Sequence, residues 1–198
     1  MSVTFEQSET RNNLMRAFAG ESQARNRYTF EAGLARKKNL HVIEAIFTFT
    51  ANQELAHAKV YYNLLEPASG QTIHIDGGYP VDIYSDMAQH LRAAQHNEWE
   101  EWDPVYASFA KTAVEEGFPE IGKTFEQIAG IEKIHSDRFG RFADLLEQDK
   151  LFVSDVEVGW MCLNCGEVVR ATRAPAVCPV CKHPQGFFIR LDMVPFGA

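Results

Sequence analysis

Glu21, Glu54, His57, Glu98, Glu101, Glu132 and His135 fall on the inward seams of helical segments, at positions where leucine or isoleucine would ordinarily pack. An ionised carboxylate turned into an apolar interior is very costly without a partner, so this much acid calls for a compensating cation. No lysine or arginine shares the seams that carry Glu54 with His57 and Glu132 with His135, and a bound metal is the simplest offset. Residues three apart lie side by side on a helix, so each Glu-x-x-His pair can present an oxygen and a nitrogen to one ion. Such a pair is weak evidence by itself. Its context is stronger: Glu21 precedes Glu54 by 33 residues and Glu98 precedes Glu132 by 34, so the two halves repeat with a one-residue offset. One glutamate from each of two helices plus a Glu-x-x-His from each of two others is the ligand set of di-iron and di-manganese bundles, and this chain adds one glutamate to it.

A second group lies near the C-terminus. Cys162-Leu-Asn-Cys165 and Cys178-Pro-Val-Cys181 are two knuckles separated by twelve residues. Four thiolates so spaced make a tetrahedral metal site, and spacing alone leaves zinc in a structural ribbon open beside iron. Context favours iron, because a redox-active bundle needs an electron source and zinc has no redox chemistry to offer.

The elements that must position these residues follow from periodicity. Leu14, Phe18, Glu21, Tyr28, Ala32 and Ala35 keep the three-and-four spacing of an amphipathic helix, interrupted only at Arg25. Ile43 to Leu64 and Ile121 to Leu146 give two unbroken seams. The third helix starts with Met87, Leu91, Ala94, Glu98 and Glu101, but Tyr106, Phe109 and Ala113 come one residue late. The extra residue lies near Pro104, which predicts a π-turn over about Glu101 to Val105. The Gly/Pro-rich run from Pro67 to Asp82 is long enough to cross a bundle, since extended chain covers about 3.3 to 3.6 Å per residue. The expected fold is therefore mainly α, a ferritin-like four-helix bundle over 1–147, then a linker over 148–158 and a small module of strands and knuckles over 159–198.

Composition narrows the function. With 45% apolar residues and a formal charge of −8, the chain can bury a core and shows no basic footprint for nucleic acid. No stretch reaches the roughly 18 apolar residues of a membrane span, and the N-terminus lacks a secretory pattern, so a cytoplasmic protein is expected. Cysteines confined to two Cys-x-x-Cys pairs suit metal binding in a reducing compartment.

Over essentially its whole length the sequence resembles the rubrerythrins. The matching motifs are Gly20-Glu21-Ser-Gln-Ala, Glu54-Leu-Ala-His57, Glu98-Trp-Glu-Glu101, Glu115-Glu-Gly-Phe-Pro-Glu-Ile121, Glu132-Lys-Ile-His135 and the rubredoxin-like tail from Trp160 through Cys181-Lys-His-Pro. The resemblance implies a non-haem peroxidase that reduces hydrogen peroxide to water at two irons in the bundle. A third iron on Cys162, Cys165, Cys178 and Cys181, replaceable by zinc, would return the electrons. It further implies an NAD(P)H-linked reductase or a rubredoxin as donor, and a homodimer or higher homo-oligomer. By the same likeness Glu54 and Glu98 bridge, Glu21, Glu132 and His135 are terminal ligands, and His57 and Glu101 exchange on one iron as its oxidation state changes. Tyr28 and Tyr106 match two tyrosines that hydrogen-bond the carboxylates. Departures gather at Trp99, Trp102, Asp103 and Pro104, which touches the helix geometry more than the ligands. Two other readings use the same residues: a ferroxidase or oxygen-reducing bundle, and an iron-handling protein with a zinc ribbon.

Overall fold

The computed structural model describes residues 3–194, so residues 195–198 of the expected C-terminal module lie outside it. The seams form two helical hairpins. Helices α1 (Glu9–Lys37) and α2 (His41–Leu64) pack along each other through a turn at Asn39, whose φ of 57° suits asparagine better than most side chains. The second hairpin is α3 (Met87–Glu100), a π-turn over Glu101–Val105, α4 (Tyr106–Glu115) and α5 (Pro119–Glu147), with α3 and α4 lying along α5. Gly117, at φ 93°, stops α4, and Pro119 opens α5 where its missing N–H costs nothing.

The hairpins are tied together at their ends. Ser8 Oγ accepts the Arg11 N–H at 3.1 Å, and Glu116, from the turn after α4, accepts the N–H groups of Glu9 and Thr10 at 2.9 and 2.8 Å. The first turn of α1 is thus capped by its own serine and by an anion from the other hairpin. The crossover over 69–86 has no helix or strand and is clamped by Asp82, which receives Arg27 at 3.0 Å and Asn97 at 2.7 Å. His90 is buried 2.9 Å from the Tyr84 carbonyl and 3.4 Å from Glu31, and so holds the same loop.

The insertion expected in the third helix is present and sharper than a simple bulge. Asp103 is extended at φ −152° and ψ 112°, and the Asp103–Pro104 peptide is cis. Proline lacks the donor a helix needs and pushes its preceding residue out of the α region, so α3 and α4 are separate segments.

Two apolar clusters bracket the inward carboxylates. One is built around Tyr28, Phe47, Leu91 and Phe139, the other around Leu14, Tyr61, Tyr106 and Phe125.

After α5 the chain forms an antiparallel sheet of order β2-β1-β3, from β1 (Val153–Cys162), β2 (Val168–Arg173) and β3 (Phe188–Arg190). Trp160 stands opposite both Val169 and Arg190. The linker expected over 148–158 is therefore shorter, because residues 153–158 already belong to β1. The β-branched Val153, Val156 and Val158 suit a strand, and the polar residues between them, with a bulge between Val153 and Val158, hid the alternation. This module has its own core of Trp160, Cys162, Ala174, Cys178 and Phe188. It docks on the α1–α2 turn: Phe187 stacks on His41 with ring centroids 3.8 Å apart, and Ile189 joins the bundle core. Gly186 approaches so closely that a Cβ there would stand 1.8 Å from the Asn39 carbonyl oxygen.

Candidate metal centres

Antiparallel helices bring the acidic positions to one level. Glu21, Glu54, Glu132 and His135 are 0% exposed, so none of them can be a solvated face residue. Ligand atoms of Glu21, Glu54, His57 and Glu132 lie within 4.8 Å of one another, as do those of Glu54, Glu98, Glu132 and His135. The two groups share Glu54 and Glu132. The sequence reading made Glu54 and Glu98 the bridging pair; in the fold Glu132, on α5, takes the central place opposite Glu54, and Glu98 belongs to one group only.

The contacts inside these groups are close but misdirected. His135 Nδ1 is 2.8 Å from Glu132 and 2.9 Å from Glu54, and His57 Nδ1 is 3.0 Å from Glu132. Even so, both Nδ1 atoms and both oxygens of Glu54 and of Glu132 lack an aligned hydrogen-bond partner. Buried polar groups normally pair, and atoms that crowd a common point without aligning on each other are arranged as metal ligands are. Oxygen and imidazole donors in this number suit iron.

Protons take the metal's part when the ligands stand alone. Burial and the neighbouring Glu54 push Glu21 up to about 8, and burial pushes Glu98 up to about 7. Burial draws both imidazoles downward, but Glu132 and its neighbours outweigh it, leaving His57 strongly raised and His135 raised to about 12. These protons must leave when a metal binds.

The surrounding side chains orient the ligands. The Tyr28 hydroxyl donates to Glu98, and the Tyr106 hydroxyl donates to Glu21 Oε1 at 2.5 Å. His135 Nε2 lies 3.1 Å from Gln53 Oε1, which also accepts from Arg138 at 3.1 Å. An oxygen there calls for a proton on Nε2, which leaves Nδ1 free to face the carboxylates. Gln53 and Arg138 were not singled out from sequence, although they adjoin Glu54 and follow His135 by three residues. Glu101 stands apart from both groups, with its Oε1 beside Gly20 and its carboxyl raised well above the usual range by burial.

The four cysteines converge as expected and form no disulfide. Sγ of Cys162 is 3.6 Å from that of Cys181, and Sγ of Cys165 is 3.6 Å from that of Cys178. A tetrahedron with metal–sulfur bonds of about 2.3 Å has edges of about 3.8 Å, so the spacing fits a four-thiolate site and is far too long for S–S bonds. The His183 backbone N–H holds Cys181 down at about 5, which favours the thiolate that ligates.

Comparison with known proteins agrees with this geometry. The family profile described as Rubrerythrin matches residues 12–143. The chain belongs to the rubrerythrin family. A second profile, the rubrerythrin rubredoxin-like domain, matches residues 160–189. The rubrerythrin of Porphyromonas gingivalis is 43% identical over 95% of this chain and 92% of its own, and that of Clostridium perfringens is 42% identical over 91% and 93%. Among solved structures, fully reduced, all-ferrous nigerythrin aligns with a TM-score of 0.63 at 26% identity, over 96% of this chain and 88% of that one. Nigerythrin of Nitratidesulfovibrio vulgaris is 27% identical in sequence over 90% of this chain and 85% of its own. As a rubrerythrin-family chain it carries a ferritin-like bundle and a rubredoxin-like module, and iron fits the donor sets of both. Among the described residues no helix is long and apolar enough to cross a membrane.

Proposed function

We propose that this rubrerythrin-family chain reduces hydrogen peroxide to water at the bundle site, with the four-cysteine site relaying electrons to it. The observation that carries the reading is the coexistence, in one chain, of two carboxylate–imidazole groups sharing Glu54 and Glu132 and a four-thiolate group. Two ferrous ions supply, when bound, the two electrons that cleave an O–O bond.

The residues have distinct parts. Glu54 and Glu132, common to both groups, would hold both ions, with Glu21 and His57 serving one and Glu98 and His135 the other. Tyr28 and Tyr106 hold the terminal carboxylates in orientation through their hydroxyls. Glu101 would be the exchangeable ligand, alternating with His57, because ferric iron would gain more from an anion than from neutral imidazole. Burial and the neighbouring carboxylates raise its carboxyl well above the usual range in the metal-free protein. Cys162, Cys165, Cys178 and Cys181 hold the relay iron, fed by a reductase or rubredoxin drawing on NAD(P)H. A reducing cytoplasm, which keeps such thiols available, and a homodimer complete the proposal.

Anaerobic mixing of the reduced protein with peroxide, and separately with oxygen, tests the reading. Peroxide should oxidise the site faster. Faster oxidation by oxygen would replace it with ferroxidase or oxygen chemistry, and colourless protein after iron reconstitution would exclude the relay and leave a zinc ribbon.

A further inference from the structure

Between α1, the crossover and the π-turn lies a cleft of about 370 Å³. Its inner end is formed by Glu101 and by Tyr106, whose hydroxyl holds Glu21 at 2.5 Å, so it reaches groups in direct contact with the buried carboxylates. Its walls are largely apolar, with Tyr79 and Pro80 on the crossover side and Val105 and Phe109 on the other. Gly20 keeps the space open: a Cβ there would meet Glu101 Oε1 and Tyr79 Cε1 at 3.8 Å each, and a longer side chain would occupy the gap between them.

Hydrogen peroxide does not need such a site. It is little larger than water, whose share of the liquid is about 30 Å³. A cleft roughly ten times larger, lined by rings and a branched side chain, falls in the range of sites that bury the apolar part of a small ligand, which begins near 300 Å³. Hydrogen peroxide has no apolar surface to place against Val105 and Phe109, whereas a carbon-bearing hydroperoxide does.

We propose that the cleft binds small organic hydroperoxides, and that the chain reduces these to alcohols. The inference rests on the peroxide-reducing reading above and extends its substrate class. The alkyl or aryl group packs against Pro80, Val105 and Phe109, and the hydroperoxide end points to Glu101. In the net reaction the O–O bond breaks, two electrons and two protons are taken up, and one molecule each of alcohol and water leaves. The electrons are those that reduce hydrogen peroxide, from a one-electron donor protein. The protons come from solvent.

The test uses the full-length, iron-loaded protein reduced with dithionite and mixed anaerobically with hydrogen peroxide or cumene hydroperoxide. In parallel, saturation-transfer NMR follows binding of cumyl alcohol, the product, to the metal-free protein. Gly78→Trp probes the cleft wall, because a Cβ at Gly78 meets nothing within 4 Å. Cumene hydroperoxide should oxidise the wild type within about tenfold of the hydrogen peroxide rate, and cumyl alcohol should bind; in Gly78→Trp the ratio of organic to hydrogen peroxide rates should fall by about tenfold or more. Rapid oxidation by hydrogen peroxide with cumene hydroperoxide inert and no cumyl alcohol signal would overturn the inference and leave the peroxide reading standing. Inertness toward both oxidants would overturn both. The wild-type measurements decide between these outcomes even if the variant does not fold.

Discussion

Tyr28 and Tyr106 each serve the opposite hairpin: Tyr28 on α1 donates to Glu98 on α3, and Tyr106 on α4 donates to Glu21 on α1 at 2.5 Å. The half-repeat seen in the sequence is thereby realised as a reciprocal pair of hydrogen bonds across the bundle. Removing one donor leaves a buried carboxyl oxygen unpaired. Tyr106→Phe should lower the stability of the metal-free protein by about 1 to 3 kcal/mol, read from chemical denaturation. An unchanged midpoint would mean that Glu21 does not depend on that hydroxyl.

The buried acids give a pH dependence with a definite sign. Glu21 and Glu98 are raised in the fold to about 8 and about 7 from an ordinary 4.5. Between these values the folded chain binds more protons than the unfolded one, so stability of the metal-free protein falls as pH rises through that window. The raised histidines act in the same direction above their ordinary 6.5, since their contribution is complete below it and is lost toward higher pH. Metal binding displaces these protons and grows stronger as pH rises. Thermal melts under anaerobic conditions should therefore show a lower metal-free midpoint at about pH 8 than at about pH 5, and a larger gain on adding ferrous iron at the higher pH. A metal-free midpoint that climbs over this range would contradict the assignment.

Glu101→Ala removes the carboxylate that stands beside the two ligand groups. Peroxidase turnover should drop by about tenfold to a hundredfold, while the optical spectrum of the four-cysteine site stays unchanged. Wild-type turnover in this variant would reduce Glu101 to a bystander.

The four-thiolate site should hold its module together, because the core around Trp160 is too small to stand alone and two of the cysteines are part of it. Iron reconstitution should turn the protein red. Cys178→Ser should abolish the colour and expose Trp160, seen as a red-shifted fluorescence, with the far-ultraviolet helical signal retained. Loss of the helical signal as well would show that the bundle depends on the module.

Gly186→Ala tests the docking of the module on the bundle. The added methyl would collide with the Asn39 backbone at 1.8 Å, a clash with a main-chain oxygen and not with a pliable side chain. Amide exchange should accelerate at the α1–α2 turn and over Gln185–Phe187, with no change near Glu132. Unaltered protection at both places would mean that the module does not rest on the bundle there.

Much of this organisation was legible in the sequence because it depends on short-range periodicity. The seams through Glu54, His57, Glu132 and His135 located side chains that the fold brings together, and the late arrival of Tyr106 located the broken helix. What escaped reading depends on lateral contacts. Glu132 and not Glu98 shares the central position because of how α5 faces α2, which no spacing along one chain segment encodes. Gln53 and Arg138 sit beside the seams, and the bonds of Gln53 to His135 and to Arg138 appear only when α2 and α5 are packed. The start of β1 was hidden because Asp155 and Glu157 are solvent-facing strand residues that look like linker.

The break at Glu101–Val105 also adjusts angular phase. In α1, Glu21 and Tyr28 are seven residues apart, which at about 100° per residue returns the tyrosine to within about 20° of the glutamate's face. Glu98 and Tyr106 are eight apart, and an uninterrupted helix would swing Tyr106 about 80° away. Straightening this segment into regular helix without removing a residue would thus rotate Ala110 and Ala113 out of their contacts along with Tyr106, so the local irregularity is what allows α4 to keep the same inward face as α3.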